Sequence, residues 1–166
     1  MSTFHPPRIR KRLLPDCSPS DRESALDLAG CASFEYTSED REHLLENILD
    51  DCIGPGGTCW SGSRADVTES LIIAFDALQT VSRVIYEVEE SQSERTQQIR
   101  IELSEDSGKT YRTVLNQEYT FSPHGATFQR EDIRLAASVV THIRLTVFPN
   151  KTGSGKATLI SLRLYP

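Results

Sequence analysis

The residue types that most often carry out catalysis are scattered along this chain of 166 residues. The four histidines are too widely spaced to indicate a metal-binding triad: they are His5, His43, His124 and His142. The Gly-x-Ser-x-Gly pattern that surrounds a hydrolase nucleophile does not occur. We therefore expect a protein that is not an enzyme.

Segment 153–157, Gly-Ser-Gly-Lys-Ala, resembles part of a phosphate-binding loop. Asn150 replaces the first glycine of that motif, and Ala157 stands where a serine or threonine would hold magnesium. The segment also lies between two predicted strands, so it lacks the helix N-terminus that binds phosphate. We do not expect a nucleotide site here.

The four cysteines are Cys17, Cys31, Cys52 and Cys59. Their spacing matches no Cys-x-x-Cys pattern of a zinc or redox site. Because the basic N-terminal cluster is not followed by the apolar segment of a secretory signal, we expect free thiols in a reducing compartment. A disulfide between Cys52 and Cys59, across the glycine-rich loop that separates them, is the alternative.

Acidic residues outnumber basic ones by 24 to 18, which gives a formal net charge of −6. Because affinity for nucleic acid comes largely from clustered lysine and arginine, this balance argues against a nucleic-acid-binding domain. No stretch approaches the roughly 18 apolar residues of a transmembrane helix. We expect an intracellular, cytoplasmic protein with no membrane span.

The first 24 residues differ in composition from the rest of the chain. They contain Pro6, Pro7, Pro15 and Pro19 and a basic run at 8–12, without a periodic apolar pattern. We expect a tail or arm at 1–24 and one domain at 25–166. The basic run could act as a nuclear address, so a nuclear location is an alternative.

From residue 25 onward, apolar and polar residues alternate in short segments, as is typical of half-buried strands. The clearest segments are 71–75, 84–88, 99–103, 143–147 and 160–164. A turn at 104–109, with Asp106 and Gly108, predicts a hairpin to a further strand at 111–115. Weaker strands are expected near 25–34 and 128–135.

The only predicted helix is short, at 38–49, with Ser38 as its N-cap and leucines on one face. No alternation of strands and helices indicates a parallel sheet. The pattern therefore predicts an all-β protein, an antiparallel β-sandwich of about eight strands with one short helix.

Segment 44–51, Leu-Leu-Glu-Asn-Ile-Leu-Asp-Asp, precedes a glycine-rich loop and Thr58-Cys59-Trp60-Ser61. This part resembles the start of the discoidin domain, also called the coagulation factor V/VIII type C domain. Strand 70–76, hairpin 101–111 and the Arg-centred strand 143–147 are also similar to that family and follow its order. The resemblance implies a galactose-binding-like jelly roll whose rim loops bind glycans, phospholipid head groups or proteins.

Many members of this family hold a structural calcium, and the resemblance implies Asp50, Asp51 and Thr58 as its ligands here. Asp51 replaces the family's glycine, however, and Ser161 occupies the position of a glutamate on the last strand. One anionic ligand is then missing, and Asp51 and Thr58 could compensate only if loop 54–57 folds back. We expect no required cofactor, with a structural calcium as the alternative.

Trp60 has two interpretations. In the family the matching tryptophan packs under the loop with its indole N–H bonded to a backbone carbonyl, whereas an exposed tryptophan could stack on a sugar. If the rim binds a glycan, the candidate contacts are Tyr36, Trp60, Arg64 and His124.

The main functional hypothesis is a non-catalytic, intracellular protein-interaction module that contacts a protein partner through its rim loops. The predicted rim loops are 36–43, 52–66, 119–127 and 149–156. The alternative is a carbohydrate-binding module that uses the same loops.

Overall fold

A computed structural model describes residues 25–166, so the predicted arm at 1–24, with Cys17 and the basic run, lies outside the described residues. The described chain contains two short helices and eight strands. The helices are α1 (Leu28–Cys31) and a 3₁₀ helix (Leu45–Leu49). The strands are β1 (Ala32–Tyr36), β2 (Trp60–Ala65), β3 (Glu69–Glu89), β4 (Arg95–Ser104), β5 (Arg112–Phe121), β6 (Phe128–Val147), β7 (Lys156–Leu159) and β8 (Ser161–Tyr165).

Strands β3 and β6 pair antiparallel along most of their length and connect two parts of one large sheet. Their first part, in which Glu69 pairs with Val147, continues through β1 on one side and through β4 and β5 on the other. Their second part, in which Glu89 pairs with Phe128, continues through β8. Irregular pairing between these two parts allows the strands to bend.

The two parts of the sheet face each other across one core. Tyr86 in the second part of β3 and Tyr119 of β5 are on strands that do not pair, yet their rings meet edge to face with centroids 6.3 Å apart. Their hydroxyl groups also hydrogen-bond to each other. The predicted antiparallel β-sandwich is therefore confirmed.

The core follows from the alternation in the sequence. In β4 the side chains of Ile99, Ile101 and Leu103 are almost fully buried, and the same is true of Leu71 and Ile73 in β3. These inward-facing residues belong to one cluster that both parts of the sheet share. Burial of a side chain of this size stabilises the fold by about 1.5–3 kcal/mol.

The predicted helix at 38–49 is wrong in its first half, because its predicted N-cap has another partner. The hydroxyl of Ser38 donates to Glu69 Oε1 at 2.5 Å and accepts from the Ser63 N–H at 3.0 Å. Ser38 therefore fastens an extended loop to β2 and β3. Helical structure begins only at Leu45 and is of the 3₁₀ type.

The strand pairings bring several loops to the same end of the sandwich. Tyr36, Val147 and Phe121 end their strands there, and Glu89 reaches the same end from the second part of the sheet. We call this end the rim; its loops are 37–44, 50–59, 66–68, 90–94, 122–127 and 148–155. Of the predicted rim loops, residues 60–65 instead form β2 and residues 119–121 end β5.

Candidate functional site

The four candidate ligand contacts occupy different places in the structure. Tyr36 ends β1 and is 46% exposed, Arg64 is exposed on β2, and His124 is exposed in loop 122–127. Two grooves lie near this end of the molecule, and Tyr36 is the only one of the four candidate contacts that lines either of them. The candidate contacts therefore do not meet in either of these two grooves.

Trp60 lies in the core. Its side chain is fully buried, and its indole N–H donates to the carbonyl oxygen of Ser38 at 3.1 Å. This arrangement matches the structural interpretation of Trp60, since no ring face is open to a ligand. Trp60 instead fixes loop 37–44 against the start of β2.

The carboxylate of Asp50 is surrounded by hydrogen-bond donors. Its two oxygens accept from the Cys52 N–H at 2.9 Å and from the Thr58 hydroxyl at 2.5 Å. Asp51 adopts a left-handed backbone conformation with φ 62°. Two of the three implied calcium ligands therefore bond to each other within the loop.

Two glutamates of β3 hold the same loop. The N–H of Gly54 donates to Glu87 Oε2 at 2.9 Å, and the N–H of Gly56 donates to Glu89 Oε2 at 2.7 Å. The Ser161 hydroxyl, at the position of the family's glutamate, also donates to Glu87 Oε2. Calcium needs six to eight oxygen atoms directed at it, whereas this loop directs N–H groups at carboxylates, so the residues do not fit calcium.

The described cysteines, Cys31, Cys52 and Cys59, are free thiols, so the alternative of a disulfide between Cys52 and Cys59 is wrong. Burial raises the pKa of the Cys59 thiol, and the charges of Glu89 and Asp40 raise it further. A thiol with a raised pKa is mostly protonated at neutral pH and is a weak nucleophile. Cys59 therefore gives no sign of catalysis.

A polar cleft opens at the rim, between loops 37–44, 50–59 and 90–94. Its volume is about 320 Å³, which falls within the range of small-molecule sites. The lining combines polar side chains with substantial apolar surface: His43, Gly57, Cys59, Ser61, Glu89, Glu90, Ser91, Gln92, Thr158 and Ile160. The lining contains no phenylalanine, tyrosine or tryptophan, so a ligand would be oriented by hydrogen bonds to the polar side chains.

Asp40 orients the histidine at one side of the polar cleft. Asp40 Oδ1 lies 3.3 Å from His43 Nδ1, and Asp40 Oδ2 accepts from Lys156 Nζ at 2.6 Å. The hydrogen bond from Lys156 is the main reason that the pKa of Asp40 lies well below its usual range, and bonds from Glu42 and His43 add to it. In the neutral imidazole, an ionised Asp40 favours the tautomer with the proton on Nδ1, in which His43 Nε2 is an acceptor.

Two consecutive glutamates, Glu89 and Glu90, also line the cleft. Glu90 is fully engaged: Oε1 accepts from the N–H of Gln92 at 2.7 Å, and Oε2 lies 2.9 Å from Arg95 Nε. The side chain of Arg95 is almost fully buried and donates to the Lys156 carbonyl oxygen. Among residues 25–166, the Glu89 carboxylate accepts only from the N–H of Gly56, at Oε2, which leaves Oε1 for a ligand.

Neither His43 nor Glu89 was selected as a ligand contact from the sequence. The four segments that line the polar cleft are far apart in the chain, and alternation within one segment does not reveal which loops meet. The only signal in the sequence is weak: Glu89 ends a strand, and Glu90 follows it just before the polar run Ser91-Gln92-Ser93.

A second groove is apolar and lies beside the end of β1. Its volume is about 230 Å³, and it is lined by Phe34, Tyr36, Glu39, Leu45, Glu46 and Leu49. Glu39 accepts from the Tyr36 hydroxyl at 3.1 Å and from the Leu45 N–H at 2.9 Å. Tyr36 is thereby held with nearly half of its surface exposed.

Comparison with protein-family models gives a match to the F5/8 type C domain over residues 33–161. The chain belongs to this family. The predicted discoidin resemblance is thus confirmed, and an F5/8 type C domain is a binding module rather than a catalytic one. A comparison with curated protein sequences gave no match. No helix among residues 25–166 is long and apolar enough to cross a membrane.

Solved structures similar to this F5/8 type C domain include three carbohydrate-binding modules. A pectin-binding module is 15% identical, with a TM-score of 0.59 over 81% of this chain and 89% of that one. A Clostridium perfringens CBM32 in complex with GalNAc-β-1,3-galactose is 18% identical, with a TM-score of 0.60 over 86% of this chain and 100% of that one. A chitosan-binding module from Paenibacillus sp. IK-5 is 21% identical, with a TM-score of 0.56 over 81% of this chain and 95% of that one. At these identities the similarity establishes the fold.

Proposed function

We propose that this F5/8 type C domain is a carbohydrate-binding module that holds a sugar in the polar cleft. The observation that carries the proposal is that one cleft is lined by two residues with an acceptor to spare, His43 at Nε2 and Glu89 at Oε1. The similar structures support the same class of ligand, since they are a pectin-binding module, a chitosan-binding module and a CBM32 in complex with GalNAc-β-1,3-galactose.

The chemistry of the polar cleft suits a sugar. Each sugar hydroxyl both donates and accepts, so it can donate to His43 or Glu89 while accepting from the amide of Gln92 or the hydroxyl of Ser91. Cys59 and Ile160 add a small apolar surface for the C–H groups of the ring. The hydrogen bonds of Asp40 and Gly56 hold His43 and Glu89 in place before a ligand arrives.

The test is a screen of the full chain against an array of neutral, amino and acidic oligosaccharides, followed by isothermal titration of each one that binds. We expect His43→Ala to weaken binding roughly three- to tenfold, the value of one hydrogen bond. His124→Ala is the matched control, because His124 is an exposed rim histidine outside the polar cleft. Equal losses in both variants, or no binding on the array, would overturn the proposal.

The apolar groove favours a second candidate function, the contact with a protein partner that the main sequence hypothesis proposed. The exposed ring of Tyr36 beside Leu45 and Leu49 resembles the aromatic anchor of a small protein interface. An intracellular or nuclear location would suit this function and stays a prediction.

Crosslinking in lysate with the native chain and with Tyr36→Ala tests this second function. A protein partner crosslinked near β1 should disappear with Tyr36→Ala and persist with His43→Ala. The opposite pattern, or no crosslink near β1, would contradict a protein contact at the apolar groove.

A further inference from the structure

The charges around the polar cleft are balanced except at one residue. Asp40 is paired with Lys156, whose Nζ lies 2.6 Å from Oδ2, and Glu90 is paired with Arg95 at 2.9 Å. Glu89 receives only the backbone N–H of Gly56, and no cationic side chain of the described residues forms an ion pair with it. The polar cleft therefore carries the negative charge of one carboxylate.

The position of that carboxylate is fixed. Glu89 is the last residue of β3, where it pairs with Phe128, and its carbonyl oxygen accepts from the Thr158 hydroxyl at 3.2 Å. Gly56 adopts φ 77°, which lets its N–H reach the Glu89 side chain from loop 50–59. The backbone on both sides thus holds Glu89 Oε2, and Oε1 stays free on the partly exposed side chain.

The negative charge acts across the cleft. Burial is the main reason that the pKa of the Cys59 thiol is raised, and the charges of Glu89 and Asp40 raise it further, so the charge of Glu89 acts on another residue of the lining. A protonated amine at this place would gain a charge-assisted hydrogen bond, which is roughly twice as strong as a neutral one. A carboxylate on the ligand would instead be repelled by Glu89.

We infer that Glu89 determines the charge specificity of the polar cleft. Because of Glu89, the cleft prefers sugars that carry a free amine to their N-acetylated counterparts and to uronic acids. This inference rests on the proposed function, because it concerns the same cleft. It assigns Glu89 Oε1 as the acceptor for the ammonium group, while His43 and Gln92 bind hydroxyls.

The experiment titrates the full chain with three oligosaccharides of equal length, built from glucosamine, N-acetylglucosamine and galacturonic acid, at a pH where the amine is protonated. We expect the glucosamine oligomer to bind roughly tenfold more tightly than the N-acetylated one, in line with one charge-assisted hydrogen bond. The galacturonic acid oligomer should bind most weakly. The preference should shrink as salt concentration rises, because salt screens an open site.

Glu89→Gln removes the negative charge but keeps the shape of the side chain, because the amide oxygen of the glutamine can still accept from the Gly56 N–H. It should abolish the preference for the amine while binding to the N-acetylated oligomer persists. Glu94→Gln is the matched control, since Glu94 is an exposed glutamate of loop 90–94 that does not line the polar cleft.

Equal affinity for the amine and its N-acetylated form, or a preference that survives Glu89→Gln, would overturn the inference and leave carbohydrate binding intact. Failure of every sugar on the array to bind would overturn the proposed function together with the inference.

Discussion

The backbone N–H of Gly54 donates to the carboxylate of Glu87 at 2.9 Å, although 33 positions separate the two residues in sequence. Glu87 is almost fully buried, and its other oxygen lies 3.6 Å from Arg130 Nε. The glycine-rich loop of the rim is thus fastened to β3 by a charged side chain of the protein itself.

Because N–H groups already occupy these carboxylates, we expect calcium not to stabilise the protein. The melting temperature should be the same, within error, in excess chelator and in excess calcium, as measured by scanning calorimetry. A ligand that binds the folded state raises the melting temperature with its concentration, so such a rise with calcium would contradict this account.

Glu87→Gln should lower the free energy of unfolding by about 1–3 kcal/mol, whereas the exposed control Glu94→Gln should not.

Trp60 is the only tryptophan of the chain, so its fluorescence reports on one site. Because the ring is fully buried, we expect blue-shifted emission, weak quenching by acrylamide and no change when a sugar binds. Trp60→Phe leaves the Ser38 carbonyl without its donor and should cost about 1–3 kcal/mol of stability. Strong quenching, or emission that shifts with sugar concentration, would show that the ring is open to ligand.

Gly153 should tolerate no side chain. Its φ is 73°, and a Cβ there would lie 2.1 Å from the Glu94 carbonyl oxygen, so Gly153→Ala meets both strain and a clash with backbone. Gly56 has φ 77° with open space around it, so Gly56→Ala should cost only the strain, about 1–2 kcal/mol. Gly125 has neither problem.

Urea denaturation should therefore rank the three alanine variants by stability, with Gly125→Ala the most stable and Gly153→Ala the least. Equal stability of Gly153→Ala and Gly56→Ala would show that loop 148–155 does not approach Glu94 as closely as described.

Asp106 should contribute to the acid sensitivity of the protein. Hydrogen bonds from the Thr110 hydroxyl, the Thr110 N–H and the Ser104 hydroxyl lower the pKa of Asp106 from 3.8 to about 2. A carboxylate with a lowered pKa in the folded state stabilises it above the unfolded value, here near pH 4, and this contribution is lost as the pH falls toward 2. Asp106→Asn should make stability less dependent on pH in that interval.

Denaturation curves between about pH 5 and pH 2 would measure this effect. Glu105→Gln is the control, because Glu105 is an exposed neighbour in the same turn. An unchanged pH dependence in Asp106→Asn would contradict the role of Asp106.

The sequence predicts the faces of strands better than their lengths. Alternation of apolar and polar residues locates the inward residues of β4. The turn-forming residues Asp106 and Gly108 locate the turn that follows, in which Gly108 has φ 76°. The two strands predicted at 71–75 and 84–88 are one strand, β3, because pairing with β6 continues through its irregular middle. β2 escapes prediction because it is mostly polar, and β7 because it has only four residues.

The polar cleft could not be predicted for a different reason. His43, Cys59, Glu89 and Thr158 come from four separate segments, which only the tertiary fold brings together. Periodicity within a segment shows which face of a strand is buried, but it contains no information about contacts between loops. For the same reason the exposed candidates Arg64 and His124 could not be excluded from a shared site in advance.

The pairing of β3 with β6 also has a consequence for how the chain folds. Glu69 pairs with Val147, and the ladder that contains this pair joins both parts of the sheet, so completing the sheet encloses nearly half of the chain between two paired residues. Proteins dominated by such distant contacts fold in milliseconds to seconds rather than microseconds. We therefore expect a slow folder, whose unpaired strand edges stay open to other chains during synthesis.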